Sequence, residues 1–400
     1  MIKRILSDKL ITLSKKFPIV SVIGPRQSGK TTLVNAAFPG KDYANLEEPD
    51  TRLFAQKDPR AFLSNHKNGL IIDEVQHVPE LFSYIQSIAD GQKSAGQFIL
   101  TGSQHFLLHE NISQTLAGRV AILTLLPFST EEIYPFKKKL DYSYYLLRGF
   151  YPPIYDRNIE ATDWYPNYVR TYIERDVRLL KNITDLNTFN QFVKMCAGRV
   201  GQLLNLSSLA NEIGISINTA KAWISVLEAS FIAFRLIPYY KNFNKRLVKM
   251  PKLYFYDTGL ASFLLGIQNE KQLETHYLIG SLFENFVIAE IVKYHCNRGL
   301  SPNLFFWRDK LGREIDCIVD TGKKIITLEI KSGKTITEDF FKGLNYWNDI
   351  SNGISFPFIV YGGSAQQKRT NATVLPWNKL LEIFSLPSNK TITKKMAQKH

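Results

Sequence analysis

A strand-like run that leads into a glycine-rich loop constrains this chain more than any other feature. The apolar residues PIVSVI at 18–23 precede GPRQSGKTTL, and the pattern TTLVNAAF that follows is helical. The spacing Gly24-x-x-x-x-Gly29-Lys30-Thr31 in a strand, loop and helix context predicts a phosphate-binding loop. Its candidate nucleotide-binding residues are Gly24, Pro25, Arg26, Gln27, Ser28, Gly29, Lys30, Thr31 and Thr32.

The residue types in this loop indicate which ligand it takes. Backbone amides and the start of the helix attract phosphate oxygens. The Lys30 ammonium would reach the β- and γ-phosphates, and the Thr31 hydroxyl would ligate Mg²⁺. The sequence therefore predicts ATP and Mg²⁺ as cofactors.

A second motif completes this chemistry. The apolar run LII at 70–72 ends in Asp73 and Glu74, where P-loop folds place a metal-binding aspartate and a glutamate that polarises water. The alternative is a pair of acidic residues that only cap the strand. We predict Asp73 as a metal ligand and Glu74 as a catalytic residue.

Three further positions are candidates for contacts with the nucleotide. Thr101 and Ser103 follow the strand-like run QFIL, at the strand end where α/β sheets bind ligands, and could sense the γ-phosphate. An ordinary polar turn is the alternative. Arg119 in LAGRV is a candidate catalytic arginine acting within or between subunits, and its alternative is a surface or structural cation.

The order of the patterns predicts an α/β protein with several units. Hydrophobic residues make up 44% of the 400 residues, enough for more than one core. A parallel-sheet ATPase core is predicted at 1–135, a helical lid or linker at 136–195, a winged helix-turn-helix at 196–270 and a second α/β domain at 275–387, followed by a basic tail at 388–400. The strands predicted for the first sheet are 19–23, 43–46, 70–72, 98–101 and 121–125.

The second α/β domain carries a possible metal site. Glu329 and Lys331 are two residues apart on a β-patterned run, so they share a face, and Asp316 lies on the preceding run. With Glu284 from an upstream helix, Asp316 and Glu329 could ligate Mg²⁺ or Mn²⁺ while Lys331 positions a water molecule. A sheet edge with paired charges is the alternative reading.

The charge of the chain bears on its partners. A net charge of +14 favours polyanions such as nucleic acid or an anionic membrane surface, although a solvated basic surface would look the same. In the helix-turn-helix, DNA and protein contacts are equally compatible with the pattern. On DNA, Asn218, Thr219, Lys221 and Ala222 would approach the major groove, and Lys241, Lys245, Arg246 and Lys249 the phosphates.

The remaining features favour a cytoplasmic location. Asp8 and Lys9 interrupt the apolar N-terminal run, and no run is long enough for a transmembrane helix. The cysteines Cys196, Cys296 and Cys317 are far apart, which predicts neither a disulfide framework nor a metal knuckle.

The motifs together resemble a widespread family of bacterial and archaeal AAA-type ATPases. The resemblance spans essentially the whole chain and rests on GPRQSGKTTL, LIIDEVQ, ILTGSQ, LAGRV, LPFS, YVRTYIERDV, YFYDTGL, GSLFENFV, REIDCIVD and EIKSG. It implies an N-terminal ATPase, a winged-helix region and a C-terminal domain similar to the restriction-endonuclease, or PD-(D/E)XK, fold. By matching motif it implies Lys30 and Thr31 as nucleotide ligands, Asp73 and Glu74 as the hydrolysis pair, and Glu284, Asp316, Glu329 and Lys331 as the nuclease-like set.

Two functions fit these expectations. The first is an ATPase that acts on DNA, with a metal-dependent nuclease at its C-terminus. The second is an ATP-driven switch that binds DNA or a protein partner without cutting. Assembly as a homo-oligomer is possible with either function. The complete nuclease-like set favours the first, and the absence of any helicase motif leaves the second open.

Overall fold

The computed structural model describes residues 2–66, 68–91, 94–103, 115–135, 141–173, 185–239, 248–353 and 355–385. These residues form two compact units. Unit 1 comprises 1–236 and 250–302, and unit 2 comprises 237–249 and 303–400. The predicted basic tail and much of the predicted segment YVRTYIERDV lie outside the described residues.

Unit 1 contains a five-stranded sheet in which every described pairing is parallel. Its strand order is β2-β3-β4-β1-β5. The strands are β1 (Ile19–Ile23), β2 (Asp42–Asn45), β3 (Leu70–Asp73), β4 (Phe98–Gly102) and β5 (Val120–Thr124). Each begins and ends within one residue of its predicted limits, and the three strands that are buried throughout, β1, β3 and β4, read as short, mainly apolar runs.

Helices cover this sheet and complete its core. The apolar face of α1 packs with β1 and with the first helix after the loop, through Leu6, Leu10, Val20 and Leu33. The helices of this part are α1 (Leu6–Ser14), α2 (Lys30–Ala37), α3 (Pro49–Lys57), α4 (Pro59–Ser64), α5 (Leu81–Gly91) and α6 (Thr130–Ile133).

The next segment of unit 1 is helical, as its aromatic and amphipathic pattern predicts. It comprises α7 (Tyr142–Arg148), α8 (Pro152–Asp156), α9 (Ala161–Tyr168) with a π-helical turn at Val169–Ile173, and α10 (Leu186–Ala197). The buried Asp257, which caps a later helix, links that helix to this segment. Its carboxylate accepts hydrogen bonds from Tyr165 Oη at 2.6 Å and from the Phe150 amide at 2.7 Å.

A helical pair and two antiparallel strands follow. Gly214 ends the first helix with φ of 81°, and the Ser216 side chain caps the second by accepting a hydrogen bond from the Thr219 amide. The elements are α11 (Leu206–Ile213), α12 (Ile217–Ala229), β6 (Ala233–Pro238) and β7 (Lys252–Phe255), then α13 (Thr258–Leu264), α14 (Glu270–Thr275) and α15 (Ile279–Asn297). The helical pair and the two strands are the elements expected at 196–270, whereas α13 and α14 were not anticipated, and the name winged helix stays a prediction.

Unit 2 is a mixed sheet with its own core. From one edge its strands run β12-β13-β11-β10-β9-β8, and Ile237 and Pro238 pair with β8. The strands are β8 (Leu304–Arg308), β9 (Glu314–Asp320), β10 (Ile325–Lys331), β11 (Ser355–Tyr361), β12 (Gln367–Lys368) and β13 (Thr373–Pro376), and α16 (Lys342–Ser351) packs on the sheet through Leu344 and Trp347. The order of three strands, helix and strand agrees with expectation, whereas β12 and β13 were not anticipated.

No helix among the described residues has both the length and the apolar character needed to cross a membrane.

Candidate functional site

The loop between β1 and α2 has the backbone of a phosphate cradle. Gly24 is required because a Cβ there would overlap the carbonyl oxygen of Leu125. Gly29 has a φ of 89°, which favours glycine. Lys30 is 5% exposed and its Nζ donates to the carbonyl oxygens of Gly24 at 3.1 Å and Pro25 at 2.9 Å. The lysine therefore folds back over the loop, where a terminal phosphate would meet its charge.

Asp73, the last residue of β3, contacts the first turn of α2. Its Oδ2 accepts hydrogen bonds from Thr31 Oγ1 at 2.7 Å and from Tyr43 Oη at 2.7 Å, and Thr101 Oγ1 donates to Oδ1. Adjacent hydroxyl and carboxylate oxygens are the hard donors that Mg²⁺ prefers. Thr31 and Asp73 therefore fit a magnesium ion, and Thr101 contacts Asp73 in this structure.

Glu74 follows with a left-handed backbone, φ of 52°. Its Oε2 accepts hydrogen bonds from Ser103 Oγ at 2.9 Å and from the Gln76 side chain. Burial alone would raise the pKa of Glu74, but the charge of Lys30, the bonds from Gln76 and Ser103 and the charge of Arg26 together hold its pKa below the ordinary value. The carboxylate is thereby kept ionised.

A cavity of about 300 Å³ lies over the loop. Besides loop residues and Glu74 it is lined by Glu47 and by the α8 region, which contributes Pro152, Pro153, Asp156 and Arg157. The sequence analysis missed Glu47 and Arg157 as site residues. They come from a loop and a helix whose spacing to the motif carries no signal, so only the fold brings them to the cavity.

Arg4 is a third residue near the loop that no sequence motif indicated. It is 7% exposed, and its guanidinium donates to the carbonyl oxygens of Ser28 at 2.7 Å and Leu126 at 2.6 Å and to Glu132 Oε1 at 3.0 Å. Carbonyl and amide of one peptide point in opposite directions. By fixing the Ser28 carbonyl, Arg4 therefore also fixes the direction of the Gly29 amide in the phosphate loop.

Arg119 lies away from this cradle. It immediately precedes β5, whose Val120 pairs in register with Ile19 at the beginning of β1, whereas the loop follows the end of β1. Its guanidinium pairs with Asp90, with one contact of 3.0 Å. The proposed role of Arg119 within its own chain has no geometric support here, and a role between subunits stays a prediction.

In unit 2, three of the predicted residues are close together. Lys331 Nζ is 2.6 Å from Glu329 Oε1 and 3.3 Å from Asp316 Oδ2, which also accepts from the Ile330 amide at 2.7 Å. The buried Glu329 Oε2 accepts no hydrogen bond from any described residue. Burial and the neighbouring charge of Asp316 outweigh Lys331 and raise the pKa of Glu329 to about 8.

The remaining predicted positions are Glu284 and those expected to contact DNA. Glu284 belongs to unit 1, where its Oε1 accepts from Lys252 Nζ at 2.9 Å and from Tyr254 Oη. On α12, Ile217, Asn218 and Lys221 are exposed, and Lys249 is exposed as well. Lys241, Lys245 and Arg246 lie outside the described residues.

Family models match three consecutive segments of the chain. Residues 16–134 match a model described as an AAA domain, and residues 139–271 and 279–380 match two domains of unknown function, DUF8612 and DUF4143. Together with the cradle and the parallel sheet, the first match makes this an AAA-type P-loop protein.

Named relatives define the family further. The uncharacterized proteins Rv2008c of Mycobacterium tuberculosis and Mb2031c of Mycobacterium bovis are each 30% identical over 324 residues, covering 80% of this chain and 71% of theirs. The chain belongs to one family with these two proteins. The Walker-type ATPase PABY2304 of Pyrococcus abyssi matches at 16% identity with a TM-score of 0.45, over 65% of this chain and 94% of that one. At that TM-score the match adds nothing to the fold described above.

Proposed function

We propose that this chain binds MgATP at the loop 24–31 and hydrolyses it. The observation that carries the proposal is the pair of Thr31 and Asp73 oxygen atoms, 2.7 Å apart, beside an ionised Glu74 and beneath the phosphate cradle. Magnesium bound there would neutralise phosphate charge. A loop that holds phosphate only as a structural ligand would not need a metal-binding carboxylate and a water-orienting glutamate beside it.

The chain's own residues account for each part of the reaction. Lys30 and the loop amides hold the β- and γ-phosphates. Glu74 orients a water molecule and accepts its proton as the water oxygen bonds to the γ-phosphorus. The bond from that phosphorus to the bridging oxygen breaks, and its electron pair leaves with ADP. Ser103 and Gln76 hold the Glu74 carboxylate in place.

Phosphate release from MgATP tests the proposal. The wild type should turn ATP over with Mg²⁺ and not with EDTA. Glu74→Gln should bind MgATP normally and lose about 100-fold or more in turnover, because the amide cannot accept a proton. Glu80→Gln, an exposed carboxylate six residues on, is the matched control and should behave as wild type. Glu74→Gln turnover within about twofold of wild type would assign Glu74 a structural role.

We further propose that ATP turnover serves an action on DNA, with a metal-dependent nuclease in unit 2. The supporting observation is the cluster of Asp316, Glu329 and Lys331, in which one buried carboxylate oxygen of Glu329 accepts no hydrogen bond from the described residues. A divalent cation would compensate such an oxygen. Lys331 would then position the attacking water.

Metal titration paired with cleavage of plasmid, linear and branched DNA, with and without ATP, tests this second proposal. Asp316→Ala should lose Mn²⁺ binding and cleavage together. Lys331→Ala should keep the metal, because an ammonium group is not a ligand, and lose cleavage. Glu338→Ala, an exposed carboxylate of the same unit, should change neither. A wild type that binds no metal and cuts no DNA would leave only a charge cluster.

One observation favours the alternative of a switch that binds a protein partner. Lys221 is the only Lys or Arg in α12, and the side chain of Ile217, at the beginning of this helix, is 50% exposed. An exposed apolar residue on this helix suits a protein surface, whereas the cations predicted to contact DNA phosphates, Lys241, Lys245, Arg246 and Lys249, lie outside α12. If α12 contacts protein, duplex affinity at low salt should be unchanged in Lys221→Ala. A location in the cytoplasm and assembly as a homo-oligomer remain parts of this proposal.

A further inference from the structure

We propose that Arg26, a residue of the phosphate loop itself, supplies the positive charge that stabilises the transferring phosphoryl group, with Glu47 as the carboxylate that competes for its guanidinium. This inference rests on the proposed ATPase function. It assigns to Arg26 the role that the sequence suggested for Arg119.

The position of Arg26 supports this role. Its side chain lines the cavity of about 300 Å³ that is also lined by Lys30, Thr31 and Glu74. The Arg26 side chain is 10% exposed. A guanidinium held in a partly enclosed cavity acts on nearby charge more strongly than one in bulk water.

The lining of the cavity places this charge among the groups of the reaction. Arg26 shares the cavity with Glu74, the residue proposed to orient the water. Lys30, which would hold the β- and γ-phosphates, lines the same cavity. The charge of Arg26 therefore acts in the cavity where the γ-phosphate would react.

The contact between Arg26 and Glu47 is one that a phosphate can replace. Arg26 Nη1 is 3.3 Å from Glu47 Oε1, and the Glu47 side chain is 45% exposed. Half-exposed ion pairs contribute little. Phosphate oxygens carry more negative charge and match the planar fork of a guanidinium. A bound triphosphate should therefore displace Glu47 from the guanidinium of Arg26.

In its own chain, Arg119 lies far from the phosphate loop along the sheet. It precedes Val120, which pairs with Ile19 at the far end of β1 from the loop. Four residue steps along a strand span about 13 Å. Its guanidinium is also paired with Asp90.

The charge of Arg26 matters while the phosphoryl group is transferred. The water oxygen bonds to the γ-phosphorus, the water proton passes to Glu74, and the bond to the β,γ-bridging oxygen breaks with its electron pair on ADP. Negative charge spreads over the three equatorial oxygens during this step. A guanidinium at these oxygens lowers the barrier more than it tightens the binding of ATP.

Single-turnover hydrolysis and ATP affinity, measured on the full chain, test the inference. Arg26→Ala should lower the hydrolysis rate about 100- to 1000-fold, while the Kd for MgATP changes less than about tenfold. Arg26→Lys should recover only part of the rate, because the ammonium lacks the planar fork. Arg119→Ala is the competing variant, and the larger loss is expected in Arg26→Ala.

Each other outcome has a distinct meaning. A rate within about twofold of wild type in Arg26→Ala overturns the inference alone, as does an equal loss of affinity and rate, which would make Arg26 a simple binding residue. Glu47→Gln removes the carboxylate that competes for Arg26 and should bind ATP about two- to fivefold more tightly. Weaker ATP binding, together with a fall in rate as large as that of Arg26→Ala, would overturn the competition and make the ion pair structural. No hydrolysis by the wild type would remove the proposed function itself.

Discussion

The nucleotide cradle of unit 1 and the carboxylate cluster of unit 2 are both built at strand ends, yet they differ in how their acids are partnered. Asp73 accepts hydrogen bonds on both oxygens, from Thr31, Tyr43 and Thr101. Glu329 has one oxygen bonded to Lys331 and one buried oxygen that receives no bond from the described residues. Both carboxylate oxygens of Asp73 therefore accept hydrogen bonds, whereas one oxygen of Glu329 accepts none from the described residues.

Opposite pKa shifts of two glutamates express the same difference. The pKa of Glu74 is lowered, because Lys30 and hydrogen-bond donors outweigh burial. The pKa of Glu329 is raised to about 8, because burial and Asp316 outweigh Lys331. Burial opposes ionisation in both cases, so the neighbouring groups decide the direction. A residue type in a motif therefore does not fix its protonation state.

The largest effect should come from the backbone of the cradle. Gly24→Ala places a Cβ on the Leu125 carbonyl oxygen, so the loop cannot keep its shape. We expect MgATP affinity to fall about 100-fold or more in a calorimetric titration. Gly40→Ala is the control, since a Cβ there meets nothing within 4 Å. Wild-type affinity in Gly24→Ala would show that the loop tolerates another geometry.

The next largest effect should come from Arg4, which contacts the phosphate loop through the Ser28 carbonyl oxygen. Arg4→Met leaves the Glu132 carboxylate buried beside no guanidinium, which should destabilise unit 1 by about 3 kcal/mol or more. Glu132→Gln in the same chain should restore part of that loss, since no uncompensated charge then remains. Denaturant unfolding of wild type, single and double variants measures both changes. If Arg4→Met and the double variant with Glu132→Gln were equally stable, the uncompensated charge of Glu132 would not be the cause of the loss.

The smallest effect should occur in unit 2 and have the opposite sign. Above its pKa of about 8 Glu329 is ionised, so at such a pH Glu329→Gln removes the repulsion from Asp316 and in EDTA should stabilise the protein by about 1 kcal/mol. The same variant should lose Mn²⁺ binding. Thermal unfolding with EDTA and with Mn²⁺ tests both statements. A loss of stability in EDTA would show that the ionised Glu329 is well compensated, contrary to the comparison above.

The sequence predicted those parts of the fold that depend on local pattern. The five strands of the parallel sheet, the loop Gly24–Thr31 and the pair Asp73 and Glu74 were found from apolar runs and short motifs. Arg4, Glu47 and Arg157 were missed because only tertiary packing brings them to the loop.

Arg119 shows an inference that the sequence could have supported better. It precedes a strand predicted to lie parallel to β1, and the start of that strand belongs to the sheet edge opposite the loop. The strand β12 in unit 2 has only two residues, which are too few for a pattern to be recognised. The roles assigned to Glu284, Asp316, Glu329 and Lys331 remain predictions.

The most direct test of the account is a calorimetric titration of ATP with Mg²⁺ into the wild type and into Lys30→Ala. Lys30 is buried against the loop, and its Nζ donates hydrogen bonds to the carbonyl oxygens of Gly24 and Pro25. The account predicts saturable binding by the wild type and a loss of affinity of about 100-fold or more in Lys30→Ala, because the terminal phosphates lose their balancing charge. Equal dissociation constants for the two proteins, or no binding by a folded wild type, would contradict it.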